Sequence, residues 1–293
     1  MDNSKPLNIS LLDVDDFIKR FECREVKSPL IREASSNSFH HEGLFSEEIF
    51  GQIGSPQRLI NFGYINLRTK VLHPVIYKNL LKLKSFIADI MAGTKYARYN
   101  SSTSELEIVS ADDPQAGTGY GWFLKQLPKL KFTRNESRTQ NDRVDVVEKY
   151  HHQLFITKLP VLPAGVRDMK VDEMRPASDS INSIYCGLMH YVEALPEAGS
   201  EDPLFDPIRY AMQKKVEEIY NYLFDMLDGK NGFFQRKYGS RNLALATRNV
   251  IGPADLSGTS PTDPHYLKIS EIGAPLYQAA NMFRPLEIGR AHV

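Results

Sequence analysis

The sequence is organised around residues 227–251, which read Leu227-Asp-Gly-Lys-Asn-Gly-Phe-Phe-Gln-Arg-Lys-Tyr-Gly-Ser-Arg-Asn-Leu-Ala-Leu-Ala-Thr-Arg-Asn-Val-Ile251. From Gly229 to Ala254, here called the basic segment, there is no Asp or Glu, although the chain as a whole balances 36 Lys and Arg against 36 Asp and Glu. Cations neutralise phosphates and aromatic faces stack on bases, so the segment predicts contact with a nucleic-acid backbone; a solvated surface loop is the alternative. The candidate contacts are Lys230, Arg236, Lys237, Arg241 and Arg248, with Phe233, Phe234 and Tyr238 between them.

Length and composition limit the class of protein. A chain of 293 residues with 42% hydrophobic residues can bury one substantial core or two smaller ones. It has no apolar run approaching about 18 residues and no N-terminal signal-peptide pattern, so we expect no membrane partner and a cytoplasmic location. Cys23 and Cys186 lie far apart and no Cys-x-x-Cys occurs, which favours reduced thiols over a disulfide. The neutral charge balance argues for a positioned binding site rather than a coat along DNA.

The order of residues in the basic segment resembles the largest-subunit (β′) family of multisubunit DNA-dependent RNA polymerases. In that family a Gly-Lys-x-Gly-x-Phe run leads through a basic stretch to Arg-x-Val-Ile-x-x-Gly-Pro. The corresponding residues here are Gly229-Lys230-Asn231-Gly232, Phe234, Arg241 and Arg248-Asn249-Val250-Ile251-Gly252-Pro253. In the family this is a switch segment beneath the clamp that contacts template DNA, so the resemblance implies the same role here.

Other stretches resemble the same family in the same order, with gaps at residues 94–157 and 254–270. Residues 42–51 are similar to its Asp-Gly-Leu-Phe-x-x-x-Ile-Phe-Gly and are expected in the core. Residues 159–167 are similar to Leu-Pro-Val-Leu-Pro-Pro-x-Leu-Arg-Pro, and their two prolines predict an extended connector rather than a central strand. Residues 279–286 are similar to Ala-x-x-Leu-Phe-Lys-Pro-Phe.

One further match adds a candidate contact. Arg175 to Asp179 stand where the family has Arg-Phe-Ala-Thr-Ser-Asp, after the loop called the lid. The resemblance therefore makes Arg175 a candidate nucleic-acid contact, with an ordinary exposed arginine as the alternative. Gly63-Tyr64-Ile65-Asn66-Leu67 is similar to the family's Gly-His-Ile-x-Leu, and bacterial members carry a four-cysteine zinc site between this block and the one matched by residues 42–51. Here Gly51 to Phe62 contains no cysteine, so we expect no bound zinc.

Hydrophobic periodicity predicts a helix-rich α+β fold. We expect a helix capped by Asp13, a strand at 62–67, a helix from Pro74 to Gly93, a β-hairpin at 95–109 and a helix through Val144 and Val147. Helices at 179–195 and 206–228 would form an antiparallel hairpin, the second with a coiled-coil seam of Ile208, Met212, Val216, Ile219, Leu223 and Met226. The resemblance implies a clamp-like architecture with this helical hairpin and small antiparallel β elements. Its solvent face, including Glu193 and Arg209, is expected to dock a promoter-specificity factor.

Two other patterns are interpreted as structural. His40-His41 and His151-His152 are adjacent pairs with no carboxylate or Cys in the sequence pattern to complete a metal site. The glycine-rich stretch from Gly117 to Gly121 lacks the strand and acidic residue of a nucleotide cradle, so it predicts a turn.

We divide the chain into four parts. Residues 1–157 are an N-terminal clamp region with a β-hairpin and a diverged middle, and 158–228 are a lid-like connector with the helix hairpin. Residues 229–286 are a switch-like DNA-binding segment and the start of a catalytic core. Residues 287–293 look like a translated sequencing adapter, so we expect a non-native tail and a truncated gene. The compact form resembles polymerases encoded by giant phages.

The expected function is that of a β′ N-terminal fragment of a DNA-directed RNA polymerase. It would hold template DNA and the RNA–DNA hybrid, together with the β subunit and the remainder of β′. Nucleotidyl transfer in this family uses two metal ions held by an Asp-rich loop, which is absent here. We therefore expect no catalytic residue and no cofactor in this chain, Mg²⁺ in the complete enzyme, and no RNA synthesis by the chain alone. The alternative is a non-enzymatic DNA-binding or polymerase-associated protein with a clamp-like fold.

Overall fold

The computed structural model describes residues 11–33, 38–171, 176–196, 201–240, 258, 260–263, 266, 268, 271 and 273–290. The chain divides into two compact units, Met1–Asp225 and Met226–Val293. The described residues mix helices with small sheets, so the predicted α+β class is confirmed. No helix among them combines the length and the apolar character needed to cross a membrane.

The strands that the structure describes lie in the first unit. In chain order they are β1 (Arg24–Glu25), β2 (Gly63–Leu72), β3 (Tyr96–Asn100), β4 (Glu105–Val109), β5 (Phe155–Val161), β6 (Lys170–Val171) and β7 (Pro176–Ala177). The helices in chain order are α1 (Val14–Arg20), α2 (Glu47–Phe50), α3 (Gln57–Ile60), α4 (Pro74–Leu83), α5 (Ile87–Met91), α6 (Tyr120–Gln126), α7 (Arg138–Lys149), α8 (Ser180–Glu193), α9 (Asp206–Leu227) and α10 (Leu276–Arg290).

The main sheet has the strand order β1-β2-β5, with β1 parallel and β5 antiparallel to β2. Asn66 pairs with Lys158 and Val71 pairs with Ile156, so residues 67–70 of β2 lie opposite a single residue, Thr157. This bulge bends β2 and turns side chains away from the regular alternation of a strand.

Strand β5 corrects the expectation for the proline-rich stretch. Residues 159–161 are not part of a free connector but pair with β2, and Pro160 lies opposite Tyr64. The sheet places β5 at an edge. Proline lacks a backbone N–H, and an edge strand tolerates that loss where a central strand would not.

The first hydrophobic core lies between the main sheet, α2, α8 and α9. Leu44, Phe45 and Phe50 are fully buried in it, which confirms the core role expected for residues 42–51. Helix α8 begins after Asp179, whose carboxylate accepts the backbone N–H of Ile181 at 3.1 Å, and buries the face predicted from its periodicity. That buried face contains Ile181, Ile184, Tyr185, Leu188 and Val192.

The second core lies among α4, α5, α6, α7 and the β3–β4 hairpin, which has the predicted strands. The helix expected from Pro74 to Gly93 is interrupted. Lys84 has an extended backbone (φ −140°, ψ 106°), which separates α4 from α5. The interruption leaves Ile87, Ile90 and Met91 all buried, an outcome that depends on tertiary packing rather than on local sequence.

Helix α9 is buried on two faces. Met212, Val216 and Ile219 contribute to the first core, as the predicted seam requires, whereas Tyr210 contributes to the second core. A helix that contacts two cores needs a wider buried surface than a single seam. The placement of Arg209 on a solvent face was therefore wrong: its side chain is 4% exposed and forms an ion pair with Asp206.

Helices α8 and α9 run antiparallel, as predicted. The Tyr222 hydroxyl near the end of α9 contacts the Asp179 carboxylate that caps the start of α8. Farther along, a side chain added at Gly187 would meet the methylene groups of Lys215 at 3.5 Å. From Asp179 to Gly187 the chain goes forward along α8, whereas their partners, Tyr222 and Lys215, go backward along α9, so the two helices are antiparallel.

Close packing explains why residues 117–121 are rich in glycine. Gly119 has φ +95° and precedes α6, and a side chain at Gly119 or Gly121 would collide with the buried Asp206–Arg209 pair. Only glycine allows this backbone conformation together with so close an approach. The stretch therefore forms a turn, as expected, and makes room for a buried ion pair.

Candidate nucleic-acid interface

The basic segment begins where α9 ends. Gly229 has φ +74°, a left-handed conformation that terminates the helix as the sequence predicts. The Gly232 N–H then donates to the Gly229 carbonyl at 3.0 Å, and the Arg236 N–H donates to the Gly232 carbonyl at 2.9 Å. Phe234–Gly239 form a short π-helix, a rare conformation that occurs often at functional sites.

The aromatic side chains of this segment are exposed. Phe233, Phe234 and Tyr238 expose 53%, 59% and 71% of their surface. The rings of Phe233 and Phe234 meet edge to face, with centroids 5.9 Å apart. Exposed apolar rings are unfavourable in water, and their faces offer stacking surfaces to nucleic-acid bases.

The cations Lys230, Arg236 and Lys237 are exposed too. None of them forms an ion pair with a described residue, and residues 229–240 contain no carboxylate that could neutralise them. This part of the segment therefore carries an uncompensated positive charge beside exposed aromatic rings, which suits a phosphate backbone with neighbouring bases.

The sequence predicts three further contacts. Arg175, Arg241 and Arg248 lie outside the described residues. Of the six predicted contacts, the described residues therefore include Lys230, Arg236 and Lys237, which are close together in the sequence.

Two buried arginines in the first unit provide a contrast with these exposed cations. The guanidinium of Arg58 binds the Asp168 carboxylate through two nitrogens, at 2.9 and 3.0 Å. Arg167 donates to Asn182 and to two backbone carbonyls. Both guanidinium groups are fully engaged within the fold, so neither is a candidate ligand contact.

The sequence interpretation missed one cluster of titratable groups. Glu33 does complete a group with His40 and His41, contrary to the expectation that no carboxylate would. Its Oε1 accepts the backbone N–H of His41 at 3.0 Å and lies 2.8 Å from His41 Nδ1. The hydrogen bond raises the pKa of His41 and lowers the pKa of Glu33, which favours an ion pair. A β-bridge between Arg32 and Phe39 brings the two sides together, a pairing that local sequence does not reveal.

Comparison with models of known protein families finds no match for this chain, and a search of curated protein sequences finds none. The polymerase resemblance therefore depends on the short motifs quoted above.

Proposed function

We propose that this chain is the N-terminal part of a β′-type subunit of a DNA-directed RNA polymerase, and that its basic segment contacts template DNA. The supporting observation is the exposure of Lys230, Arg236 and Lys237 beside exposed aromatic rings, with no carboxylate in residues 229–240. The ordered motifs from residue 42 to residue 286 support the polymerase assignment.

Contact with DNA follows from charge. Each cation that neutralises a phosphate releases condensed counterions, so a compact cluster gives affinity that depends strongly on salt. Phe233, Phe234 and Tyr238 add stacking on bases that are unpaired, as in a transcription bubble. The whole chain has 36 Lys and Arg against 36 Asp and Glu, and the basic segment has five cations and no carboxylate, so the remaining residues carry a net negative charge. Binding to phosphates is therefore concentrated at this segment.

The α8–α9 pair takes the place of the clamp helices in this proposal. Its outer groove is lined by acidic side chains, Glu217, Glu218 and Asp225, together with Lys214. This groove and Glu193 form the surface for a promoter-specificity factor. Arg209 has no part in it because that residue is buried.

Catalysis belongs to another part of the proposed enzyme. Two-metal nucleotidyl transfer needs carboxylates clustered closely enough to hold two cations a few ångströms apart. Within the described ranges, the group of three potential metal ligands is Glu33, His40 and His41, which offers a single carboxylate. These residues do not fit a pair of Mg²⁺ ions, so no step of the reaction is assigned to them.

Photo-crosslinking tests the proposal directly. The full chain would be mixed with a DNA bubble carrying photoreactive bases, irradiated and digested, and the linked peptides identified by mass spectrometry. We expect crosslinks within residues 229–240, and their loss in Phe234→Ala, which removes a stacking face. Crosslinks confined to residues outside 229–254 would refute the assignment of the DNA contact to the basic segment.

A further inference from the structure

A cavity of about 450 Å³ lies beside the bulge of β2, within the first unit. Small-molecule sites in proteins occupy roughly 300–1,000 Å³, so the volume is suitable for a compact organic ligand. Apolar walls come from Leu124, Pro128 and Phe155. The charged residues that line the cavity lie outside this apolar part of the wall.

Four cations line this cavity: Arg68, Lys70, Lys125 and Arg209. Glu201 is the carboxylate among the lining residues and lies 3.5 Å from Lys125. The second compensating carboxylate is Asp206, the ion-pair partner of Arg209. Four positive charges against two negative ones leave an excess of two around a space with partly apolar walls.

Two of the cations have donor groups that the described part of the chain does not use. Lys70 is exposed and forms no hydrogen bond or ion pair with the described part of the chain. Arg209 is only 4% exposed, yet its Nε has no hydrogen-bond partner among the described residues. The charge of Arg209 is paired with Asp206, but a buried N–H without an acceptor is unfavourable.

The backbone at the bulge of β2 positions Arg68 at the cavity wall. Arg68 has φ +55°, a left-handed conformation that is unusual for a residue with a side chain. Its Nη1 donates to the Leu195 carbonyl at 3.0 Å, which fixes the side chain at the cavity wall. Bulges and strained backbone of this kind occur preferentially next to binding sites.

We infer that this cavity binds a small organic phosphate. A phosphate monoester carries a charge of about −1.5 to −2 at neutral pH, which matches the local excess of two positive charges. Its phosphoryl oxygens would accept hydrogen bonds from Lys70 and Lys125, and its organic part would contact Leu124 and Phe155. A volume of about 450 Å³ with apolar side chains along part of the wall suits a small molecule that has an organic part. This inference is independent of the proposed role of the basic segment, which lies in the other unit.

Isothermal titration calorimetry of the full chain tests the inference, with phenyl phosphate, adenosine 5′-monophosphate and inorganic phosphate as probes. We expect one-to-one binding of at least one of the two organic phosphates, tighter than that of inorganic phosphate. Lys70→Ala and Lys125→Ala should each weaken it about tenfold, the usual effect of losing one charge-assisted contact. Glu201→Gln should strengthen binding because it removes a competing carboxylate. Lys82→Ala removes an exposed lysine that does not line the cavity and should change nothing.

Three outcomes would overturn the inference. The first is failure of both organic phosphates to bind. The second is equal weakening by Lys70→Ala and Lys82→Ala, which would indicate a nonspecific charge effect. The third is binding of a DNA oligonucleotide that Lys70→Ala abolishes, without binding of either organic phosphate. Circular dichroism of every variant separates these results from misfolding, since the altered lysines are exposed.

Discussion

The side-chain amide of Asn182 forms two hydrogen bonds with Arg167, one with its guanidinium and one with its backbone carbonyl. Arg167 Nη1 donates to Asn182 Oδ1 at 2.7 Å, and Asn182 Nδ2 donates to the Arg167 carbonyl at 2.9 Å. Both side chains are 2% exposed. Burial lowers the pKa of Arg167 to about 10. The pair joins the stretch 159–167 to helix α8 inside the first core.

Other contacts of Arg167 extend this connection. Its Nη2 donates to the Leu44 carbonyl at 2.7 Å, and the guanidinium carbon lies 5.4 Å from the Phe45 ring and 5.0 Å from the Phe50 ring. Residues 42–51 and 159–167, two stretches that resemble the polymerase family, thus meet helix α8 around one buried cation.

Replacing Asn182 tests this arrangement. Asn182→Ala leaves a buried Nη1 of Arg167 without its acceptor, so we expect the free energy of unfolding to fall by about 2–3 kcal/mol. Urea denaturation followed by circular dichroism measures the change. Ser183→Ala alters the next, exposed residue of α8 and should change stability by no more than about 0.5 kcal/mol. Equal effects of the two substitutions would contradict the role assigned to the buried pair.

His73 predicts a dependence of stability on pH. It is 8% exposed, and its Nδ1 accepts the Val75 N–H at 3.2 Å at the start of α4. Burial lowers the pKa of His73 from 6.5 to about 4. Below pH 6.5 the unfolded chain binds a proton that the folded chain excludes, so stability is fully present above 6.5 and is lost as the pH falls towards 4.

The size of this loss follows from the shift. The pKa difference corresponds to at most about 3 kcal/mol, lost between pH 6.5 and 4. His73→Asn keeps a side chain that can cap α4 but does not titrate. Urea denaturation at pH 7, 5.5 and 4 should show that the advantage of the natural chain over this variant decreases with acidity. A constant difference would show that His73 does not titrate as its burial requires.

Two glycines with positive φ, one before α6 and one after α5, offer a matched pair of substitutions. Gly119 and Gly93 both have positive φ, at +95° and +78°. A side chain at Gly93 meets no atom within 4 Å, whereas one at Gly119 collides with Asp206. Gly119→Ala should therefore cost about 1–3 kcal/mol more than Gly93→Ala, the usual effect of overpacking. Thermal denaturation of both variants gives the comparison, and equal losses would mean that the close approach contributes nothing.

The outer surface of the α8–α9 pair predicts a separable effect on transcription. Glu193→Lys and Glu218→Lys reverse the charge of side chains that are exposed on this surface. In the polymerase that we propose, they should weaken promoter-dependent initiation and spare elongation on a preformed bubble. Lys82→Glu, a charge reversal on α4, serves as the control. Equal loss in both assays would indicate damage to the fold instead of loss of a docking surface.

Features that depend on local sequence could be predicted. The α1 helix begins after Asp13, whose carboxylate accepts the N–H groups of Asp15 and Asp16. The β3–β4 hairpin and the buried face of α8 followed from alternation and helical periodicity. In each of these elements the pattern lies within a few neighbouring residues.

Features that depend on distant residues could not be predicted. The burial of Arg209 requires both cores, and the strand role of Pro160 requires β2 as a partner. The bulge of β2 and the Glu33–His41 contact likewise come from pairing between separated stretches. The sequence placed the candidate interface at the basic segment, but the exposure of its rings became visible only in the structure.

The central claim is that the basic segment contacts a phosphate backbone, and the salt dependence of DNA affinity tests it most directly. Fluorescence anisotropy of a labelled duplex would be measured over a range of salt concentrations for the full chain and for Lys230→Ala, Arg236→Ala and Lys237→Ala. Each variant should bind every sequence more weakly and flatten the slope of log K against log salt by about 0.9, the value for one lost phosphate contact. Lys82→Ala should leave affinity and slope unchanged. Unchanged affinity and slope in all three variants of the basic segment would remove it from the path of DNA.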